Sequence, residues 1–156
     1  MQVRVYIEST LRGPRKHTGT YEFVMEAYVE AGKDPVTLTK ATHVHDCSEN
    51  TSYVIAAAEA VNRLKTKCDV IFYTPCSYFN AAVNEYLPKW RANGFTTAKK
   101  APVANAQEWQ QISERVAAAT ATEEHHKYRN CLHDEVRRLD TQFTKKKNES
   151  NEKRSK

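Results

Sequence analysis

Apolar and polar residues alternate at the start of the chain in the pattern of a half-buried strand. Val3, Val5 and Ile7 occupy every second position, which predicts a first strand with one buried face. Two more strands are predicted over residues 21–29 and 36–44, on either side of a Gly-Lys-Asp-Pro turn. Three consecutive strands with short connections indicate an antiparallel meander.

The middle of the chain changes to helical periodicity. The sequence Ser-Glu-Asn-Thr at 48–51 supplies helix-capping side chains, and apolar residues then recur at helical spacing, so a helix is predicted over 50–66. Residues 70–74 form a continuous apolar run, as in a strand buried on both faces. A helix between the meander and such a strand predicts a mixed sheet and an α/β fold. The remaining predicted elements are helices over 77–86, 105–116 and 129–143 and a strand of small residues over 117–122.

Charge is distributed unevenly along the 156 residues, which are enough for one domain. The formal charge is +5, and residues 145–156, with six basic and two acidic residues, contribute +4 of it. This tail contains no apolar residue and is predicted to be disordered, outside a domain of residues 1–144. The domain itself is close to neutral, so any nucleic-acid site must come from a local cluster of cations.

Localisation is predicted from apolar runs and cysteines. No apolar run reaches the roughly 18 to 20 residues that span a bilayer, so no membrane partner is expected. The cysteines, Cys47, Cys68, Cys76 and Cys131, show no Cys-x-x-Cys spacing, which favours reduced thiols. The chain is therefore expected to be cytoplasmic.

An ordered set of motifs lies between residues 69 and 109. The buried strand ends in Thr-Pro-Cys-Ser-Tyr at 74–78, the segment Leu-Pro-Lys-Trp-Arg follows at 87–91, and a second tryptophan lies at 109. This order resembles type 1 ribonuclease H, and the resemblance covers most of residues 3–140. It implies a mixed five-stranded sheet, three antiparallel strands and then parallel strands, flanked by helices.

Four carboxylates in that family hold two divalent metal ions that hydrolyse the RNA of an RNA/DNA hybrid. The resemblance assigns carboxylates to two of the four positions, Glu8 at the end of the first strand and Asp134 in Asn-Cys-Leu-His-Asp at 130–134. The other two positions hold Tyr53, a neutral phenol, and Pro75, which has no side-chain donor. The histidine of the family's mobile loop falls near His125 or His126.

Loss of two ligands implies a degenerate catalytic site, as in a small bacterial subgroup of ribonuclease H-like proteins. Hydrolysis of RNA/DNA hybrids is expected to be lost or strongly impaired, and Glu8 and Asp134 would at best hold a metal weakly. Mg²⁺ or Mn²⁺ would be a cofactor only of an active protein. The alternative is an atypical active nuclease that uses Glu8, Asp134 and either Glu49 or Glu135.

The basic protrusion of the family corresponds to residues 89–100, called here the handle segment. It contains four cations, no acid and a tryptophan: Lys89, Trp90, Arg91, Lys99 and Lys100. The resemblance implies that these residues grip an RNA/DNA hybrid or double-stranded RNA. It also implies that Asn50, Ser52 and Ser77 touch the nucleic-acid backbone. A third hypothesis is a non-catalytic scaffold for another protein or a homodimer.

Overall fold

A five-stranded mixed sheet forms the centre of the computed structural model, which describes residues 1–154, with side chains as far as residue 148. The strand order is β3-β2-β1-β4-β5. Strands β1 to β3 form the antiparallel meander, β4 pairs in parallel with β1, and β5 pairs in parallel with β4. The sheet confirms the predicted fold class. The strands are β1 (Gln2–Ser9), β2 (His17–Tyr28), β3 (Val36–Cys47), β4 (Cys68–Tyr73) and β5 (Val116–Thr122).

Helices flank the sheet as the sequence predicts. The first begins after Ser48, whose hydroxyl accepts a hydrogen bond from the Thr51 N–H. The predicted helix over 77–86 is longer than expected, because a π-helical turn at Ala82–Tyr86 joins it to a further helix that ends at Gly94 in the left-handed conformation. The helices are α1 (Glu49–Val61), α2 (Ser77–Ala81), α3 (Leu87–Asn93), α4 (Ala106–Arg115) and α5 (Arg129–Arg154).

The main core lies between one face of the sheet and helices α1 to α4. Trp109 is fully buried there and stacks on Phe79, with ring centroids 5.5 Å apart. Trp90 is half-buried, and its ring centroid lies 5.5 Å from that of Trp109. The two tryptophans therefore tie α3 to α4 and hold the start of the handle segment against the core.

Helix α5 covers the opposite face of the sheet, so β1 is buried on both faces rather than on one. Leu132 of α5 packs against Tyr6 and Val24. The same face carries two buried glutamates of β2, Glu22 and Glu26, each about 1% exposed. The alternation in the sequence correctly identified the apolar face of β1. It also predicted that the opposite face is exposed, because a strand's own pattern does not show that a later helix covers it.

The C-terminal helix also extends beyond its prediction. Helix α5 continues to Arg154, although the sequence predicted a disordered tail from residue 145. Lysine, glutamate and arginine are good helix formers and no proline or glycine follows residue 129, so the helix has no stop signal. Residues 155–156 of the predicted tail lie outside the described residues, and the division into a domain and a tail stays a prediction. Within the described chain, no helix has the length and apolar character to cross a bilayer.

Candidate active site and nucleic-acid interface

Glu8 lies near the end of β1 and is only 6% exposed. Its neighbour across the antiparallel pair is Glu22, and the Nδ1 atom of His133 on α5 lies 3.6 Å from its Oε2 atom. Burial raises the pKa of the Glu8 carboxyl, and the charges of His133 and Arg12 oppose that rise. The structure thus places this predicted site residue in a shielded position beside a histidine.

Two of the four positions that the resemblance assigns to metal ligands hold Tyr53 and Pro75. Tyr53 is fully buried on α1, and its hydroxyl has no hydrogen-bond partner within the described residues. Burial and, secondly, the charge of Glu8 raise the pKa of this phenol, which stays neutral. Pro75 follows β4 and lines the cleft next to Glu8. The neighbouring Cys76 thiol is buried and points to the Asn50 Oδ1 atom at 3.5 Å.

The fourth position, Asp134, is exposed on α5, and it does not line the cleft beside Glu8. Asn130 and His133 line that cleft instead. Residues three apart on a helix share a face, whereas the next residue is turned away by about 100°. The rotation of α5 therefore brings His133 to the carboxylate of Glu8 in place of Asp134.

The cleft beside Glu8 consists of two adjoining pockets, the larger of about 320 Å³. Both pockets contain Glu8, Pro75 and Arg129. The larger is completed by Arg12, Asn130 and His133, and the smaller by Thr74, Glu123, Glu124 and His126.

Seven of these residues had no predicted role: Arg12, Thr74, Glu123, Glu124, Arg129, Asn130 and His133. The run Glu-Glu-His-His at 123–126 directly follows β5, and the carboxyl ends of neighbouring parallel strands meet at one edge of a sheet. Their position directly after β5 is the sequence feature that could have predicted Glu123 and Glu124 at the same edge of the sheet as Glu8.

The two histidines after β5 have different surroundings. His126 lines the smaller pocket and packs on the ring of Tyr6, with centroids 4.6 Å apart. Its Nδ1 atom accepts a hydrogen bond from the Tyr128 N–H at 3.2 Å. Burial lowers the pKa of this imidazole, and the charge of Arg129 lowers it further. His125 is exposed and is hydrogen-bonded to the guanidinium of Arg129, so His126 is the member of the pair that reaches the cleft.

All four cations of the handle segment are exposed, but they differ in their partners. Lys89, Lys99 and Lys100 are exposed and form no ion pair with the described part of the chain. Arg91 instead donates hydrogen bonds to the hydroxyl of Ser113 and, at 3.0 Å, to its carbonyl, which links α3 to α4. The three lysines are therefore unpaired at the surface, whereas Arg91 is exposed and already hydrogen-bonded to Ser113.

The polar residues predicted to touch the nucleic-acid backbone divide into two groups. Asn50 and Ser77 are exposed at the beginnings of α1 and α2. Ser52 is fully buried, and its hydroxyl donates to the Ser9 hydroxyl at 2.8 Å. Ser52 therefore supports the end of β1 from the interior and offers no group to a ligand.

A family comparison agrees with this geometry. The family model for RNase H matches residues 3–128, most of the chain. This chain belongs to the RNase H family. Ribonuclease H of Francisella tularensis subsp. novicida (strain U112) is 39% identical over 67 residues, which are 43% of this chain and 44% of the relative. The chain thus aligns with less than half the length of the curated relatives it matches. Whether it shares their activity is taken up under the proposed function.

Solved structures show the same fold. LC9-RNase H1, a type 1 RNase H with the type 2 active-site motif, is 18% identical, with a TM-score of 0.62. The similarity covers 90% of this chain and 71% of LC9-RNase H1. The foamy viral protease-reverse transcriptase in complex with an RNA/DNA hybrid is 19% identical, with a TM-score of 0.58, over 90% of this chain and 19% of that one.

The side chains at the RNase H metal positions do not fit a two-metal cage. In residues 1–148 no three Asp, Glu, His or Cys side chains converge in an arrangement that could hold a metal ion. Glu8 is the one carboxylate at a family position that faces the cleft, and the phenol of Tyr53 and the ring of Pro75 are not ligands for Mg²⁺. The chain thus has the fold of the RNase H family, and the four positions that the resemblance assigns to metal ligands hold two carboxylates, a phenol and a proline.

Proposed function

We propose that this protein binds duplexes that contain RNA, an RNA/DNA hybrid or double-stranded RNA, and that it has lost two-metal hydrolysis of the hybrid. The observation that carries the proposal is the combination of three unpaired lysines on the handle segment with two residues that are not carboxylates at predicted ligand positions, Pro75 in the cleft and the buried Tyr53. Exposed cations without acidic neighbours neutralise phosphates and release counterions, which requires no metal site. The structural neighbour that was solved with an RNA/DNA hybrid supports this choice of ligand.

The handle segment is expected to supply most of the salt-dependent affinity. Replacing Lys89, Lys99 and Lys100 together by alanine should weaken binding of a labelled hybrid by about tenfold or more. The slope of log affinity against log salt concentration should fall by about 2 to 3, since each lost phosphate contact removes nearly one released counterion. Fluorescence anisotropy between 50 and 200 mM salt, chosen to span the range in which such contacts dominate, measures both quantities.

A matched control removes the same charge from a different surface. Lys33, Lys65 and Lys67 are exposed and lie outside the handle segment, so their joint replacement by alanine should change the affinity much less. Equal losses in the two triple variants would mean that only net charge matters and would contradict a defined interface.

A second candidate is an atypical metal-dependent nuclease. Glu123 and Glu124 line the same pocket as Glu8, but the three carboxylates do not converge as a metal site in the described residues, so a bound ion would have to draw them together. The residues first considered for such a site are elsewhere: Glu49 accepts a hydrogen bond from the Gly13 N–H at 3.0 Å, and Glu135 interacts with Glu22. A rebuilt site would therefore combine Glu8 with the two glutamates after β5 and would take Mg²⁺ or Mn²⁺.

Binding and cutting are best measured in the same sample. A fully paired, labelled RNA/DNA hybrid incubated with Mn²⁺ should be bound and left intact by the wild-type protein. Cutting that requires Mn²⁺, leaves 5′-phosphate ends and disappears in Glu8→Ala would establish the atypical nuclease instead. Absence of any affinity together with a stable oligomer would favour the scaffold or homodimer hypothesis.

A further inference from the structure

Strand β3 is one outer edge of the sheet, and the backbone groups on its free side have no backbone partner. The Thr10 N–H donates to the Thr20 carbonyl, so Thr20 faces β1 and the next residue, Tyr21, faces β3. Tyr21 is paired with Thr42. Because residues alternate along a strand, every second residue of β3 points its N–H and C=O away from β2. These residues are Thr37, Thr39, Ala41, His43 and His45.

The opposite edge of the sheet, β5, is closed by a side chain. The amide of Asn84 donates to the Ala121 carbonyl at 2.8 Å and accepts from the Ala121 N–H at 2.9 Å. Ala121 therefore faces outward, and by alternation so does Ala119. A register shift beside Cys68 also makes the β4–β5 pairing irregular. Both features are devices that keep an edge strand from pairing with another chain.

Strand β3 lacks such devices within the described residues. Its pairing with β2 is regular from Val36 to Val44, and it contains no proline. Its one lysine, Lys40, forms an ion pair with Glu59 of α1, so the charge that would repel another strand is neutralised within the chain. A long, regular edge with free N–H and C=O groups is a template for an added strand.

We propose that two copies of this chain pair through β3, antiparallel about a two-fold axis at Ala41, so that their sheets form one continuous sheet. In this register Ala41 of one copy faces Ala41 of the other, and Thr39 of each copy faces His43 of the other. The outward N–H and C=O groups of the two strands then bond to one another, as a self-complementary two-fold interface requires.

The side chains of β3 select this register. With the axis at Ala41, Leu38 of one copy lies opposite Val44 of the other, which adds an apolar cross-strand pair at two half-buried positions. Lys40 then lies opposite a threonine. An axis one residue earlier would place the two Lys40 side chains opposite each other, and an axis one residue later would place Leu38 opposite Asp46. Ala41 is therefore the position that brings no like charges together and pairs the apolar residues.

Helix α5 favours the same arrangement. It crosses the sheet from β1 to β3, where the ring of Phe143 stacks on His43 with centroids 5.2 Å apart. The helix continues to Arg154, about 16 Å past Phe143. Residues 144–148 are exposed, so within the described side chains this part of the helix has no sheet beneath it. A second copy at the β3 edge supplies one, since Thr37 and Thr39 are exposed on the face that α5 covers.

The pairing leaves the handle segment of each copy free. Arg91 of that segment lines a groove with Ala117, Ala118 and Ala119 of β5, so the segment lies beside the edge opposite to β3. A pair joined through β3 therefore carries one handle segment at each end and can hold two duplexes. The pairing itself does not depend on nucleic-acid binding.

Sedimentation velocity of the full chain tests the pairing, over about 1 µM to 1 mM, the range in which a small interface associates. The wild type should convert reversibly from monomer to dimer. Thr39→Pro removes an outward N–H and leaves the β2 ladder intact, so it should weaken dimerisation by about tenfold or more, because symmetry doubles the loss. Ala119→Pro makes the same change on the outer side of β5 and should dimerise like the wild type. Urea unfolding checks that both variants are folded.

A second variant tests the position of the axis. Ala41→Lys places two ammonium groups opposite each other in the dimer, whereas within one chain the new side chain lies beside Glu22 of β2. Dimerisation should weaken by about tenfold or more at low salt and recover in part at high salt. In the wild type, the N–H groups of Thr39 and Ala41 should exchange with solvent more slowly as protein concentration rises, measured by NMR.

Two outcomes would overturn the inference. A wild type that stays monomeric throughout the concentration range removes it and leaves the proposed function standing, because hybrid affinity is measured separately. A dimer that both Thr39→Pro and Ala41→Lys retain in full would use another surface. A dimer that Thr39→Pro loses and Ala119→Pro keeps supports pairing through β3, even if the chain has no affinity for a hybrid, a result that would contradict only the proposed function.

Discussion

Glu26→Ala is expected to lower the free energy of unfolding by about 3 kcal/mol at neutral pH. The carboxylate of Glu26 is buried beneath the start of α5 and accepts hydrogen bonds from three tyrosine hydroxyls and a lysine. Hydrogen bonds to a charged group contribute roughly 1.5–3 kcal/mol each. In the variant, Lys127 and the more exposed tyrosine hydroxyls form hydrogen bonds to water instead, so the expected loss is much smaller than the sum of four such bonds. The donors are Tyr6 at 3.1 Å, Tyr28 at 3.0 Å, Tyr128 at 2.8 Å and Lys127 at 2.6 Å.

The pH dependence of this effect follows from the direction of the pKa shift. Burial acts to raise the pKa of Glu26, but hydrogen bonds from Lys127 and the three tyrosines outweigh it and lower the pKa below its ordinary value. A lowered pKa in the folded state adds stability above the ordinary pKa of the carboxyl, and that stability is lost as pH falls through the folded value. The difference between Glu26→Ala and the wild type should therefore shrink in acid.

Urea unfolding curves at pH 7 and at pH 3 measure the loss of stability in Glu26→Ala at neutral pH and its decrease in acid. Glu30→Ala is the matched control, because Glu30 is exposed and its partner Lys33 is exposed as well, so its loss should change stability by less than about 0.5 kcal/mol. A loss at Glu26 no larger than the loss at Glu30 would show that the four donors do not act on its carboxylate.

The sequence predicted the parts of the fold that depend on local pattern. Period-two alternation from Val3 to Ile7 and the apolar run at 70–74 correspond to β1 and β4, and the order of motifs from 69 to 109 predicted the family. The phenol of Tyr53 and the ring of Pro75 are not ligands for Mg²⁺, and the assignment of these two residues to metal-ligand positions stays a prediction.

The arrangement of the cleft depends on quantities that the sequence does not contain. Asp134 matches the family motif, yet the rotation of α5 about its axis leaves it exposed and turns His133 to Glu8. Ser52 lies at a polar helix start, but its depth of burial is decided by packing against Ser9. The handle segment contains four cations, and the sequence does not show that one of them, Arg91, is hydrogen-bonded to Ser113 of α4.

The polar face of the sheet is a second example of an arrangement that the sequence does not reveal. Glu22 and Glu26 lie four residues apart on β2 and point to the same side, beneath α5. In the sequence they are equivalent strand glutamates. Their pKa values move in opposite directions, because Glu26 meets four donors whereas Glu22 meets another carboxylate, that of Glu135. Such a difference depends on which side chains packing brings to each position: residues of β1, β2 and the segment before α5 at Glu26, and Glu135 of α5 at Glu22.

Glu22→Gln is accordingly expected to stabilise the protein by about 1–3 kcal/mol at pH 8. Glu22 is 1% exposed, and its Oε1 atom has no hydrogen-bond partner among the described residues. Burial and, secondly, the charge of Glu135 raise the pKa of Glu22 to about 7, while Arg138 opposes the rise. Glutamine has nearly the same shape, carries no charge to desolvate, and offers an N–H to the carboxylate of Glu135.

The sign of the pH effect is opposite to that at Glu26. A carboxyl whose pKa is raised from 4.5 to about 7 binds its proton more tightly in the folded state, so stability is highest below pH 4.5 and falls as pH rises towards 7. The wild type should lose stability between pH 5 and pH 8, and Glu22→Gln should remove that part of the loss. Urea unfolding at half-unit steps of pH measures it, with Glu30→Gln as the exposed control. If the wild type and Glu22→Gln showed parallel stability curves, Glu22 would not be the group that takes up a proton in this range.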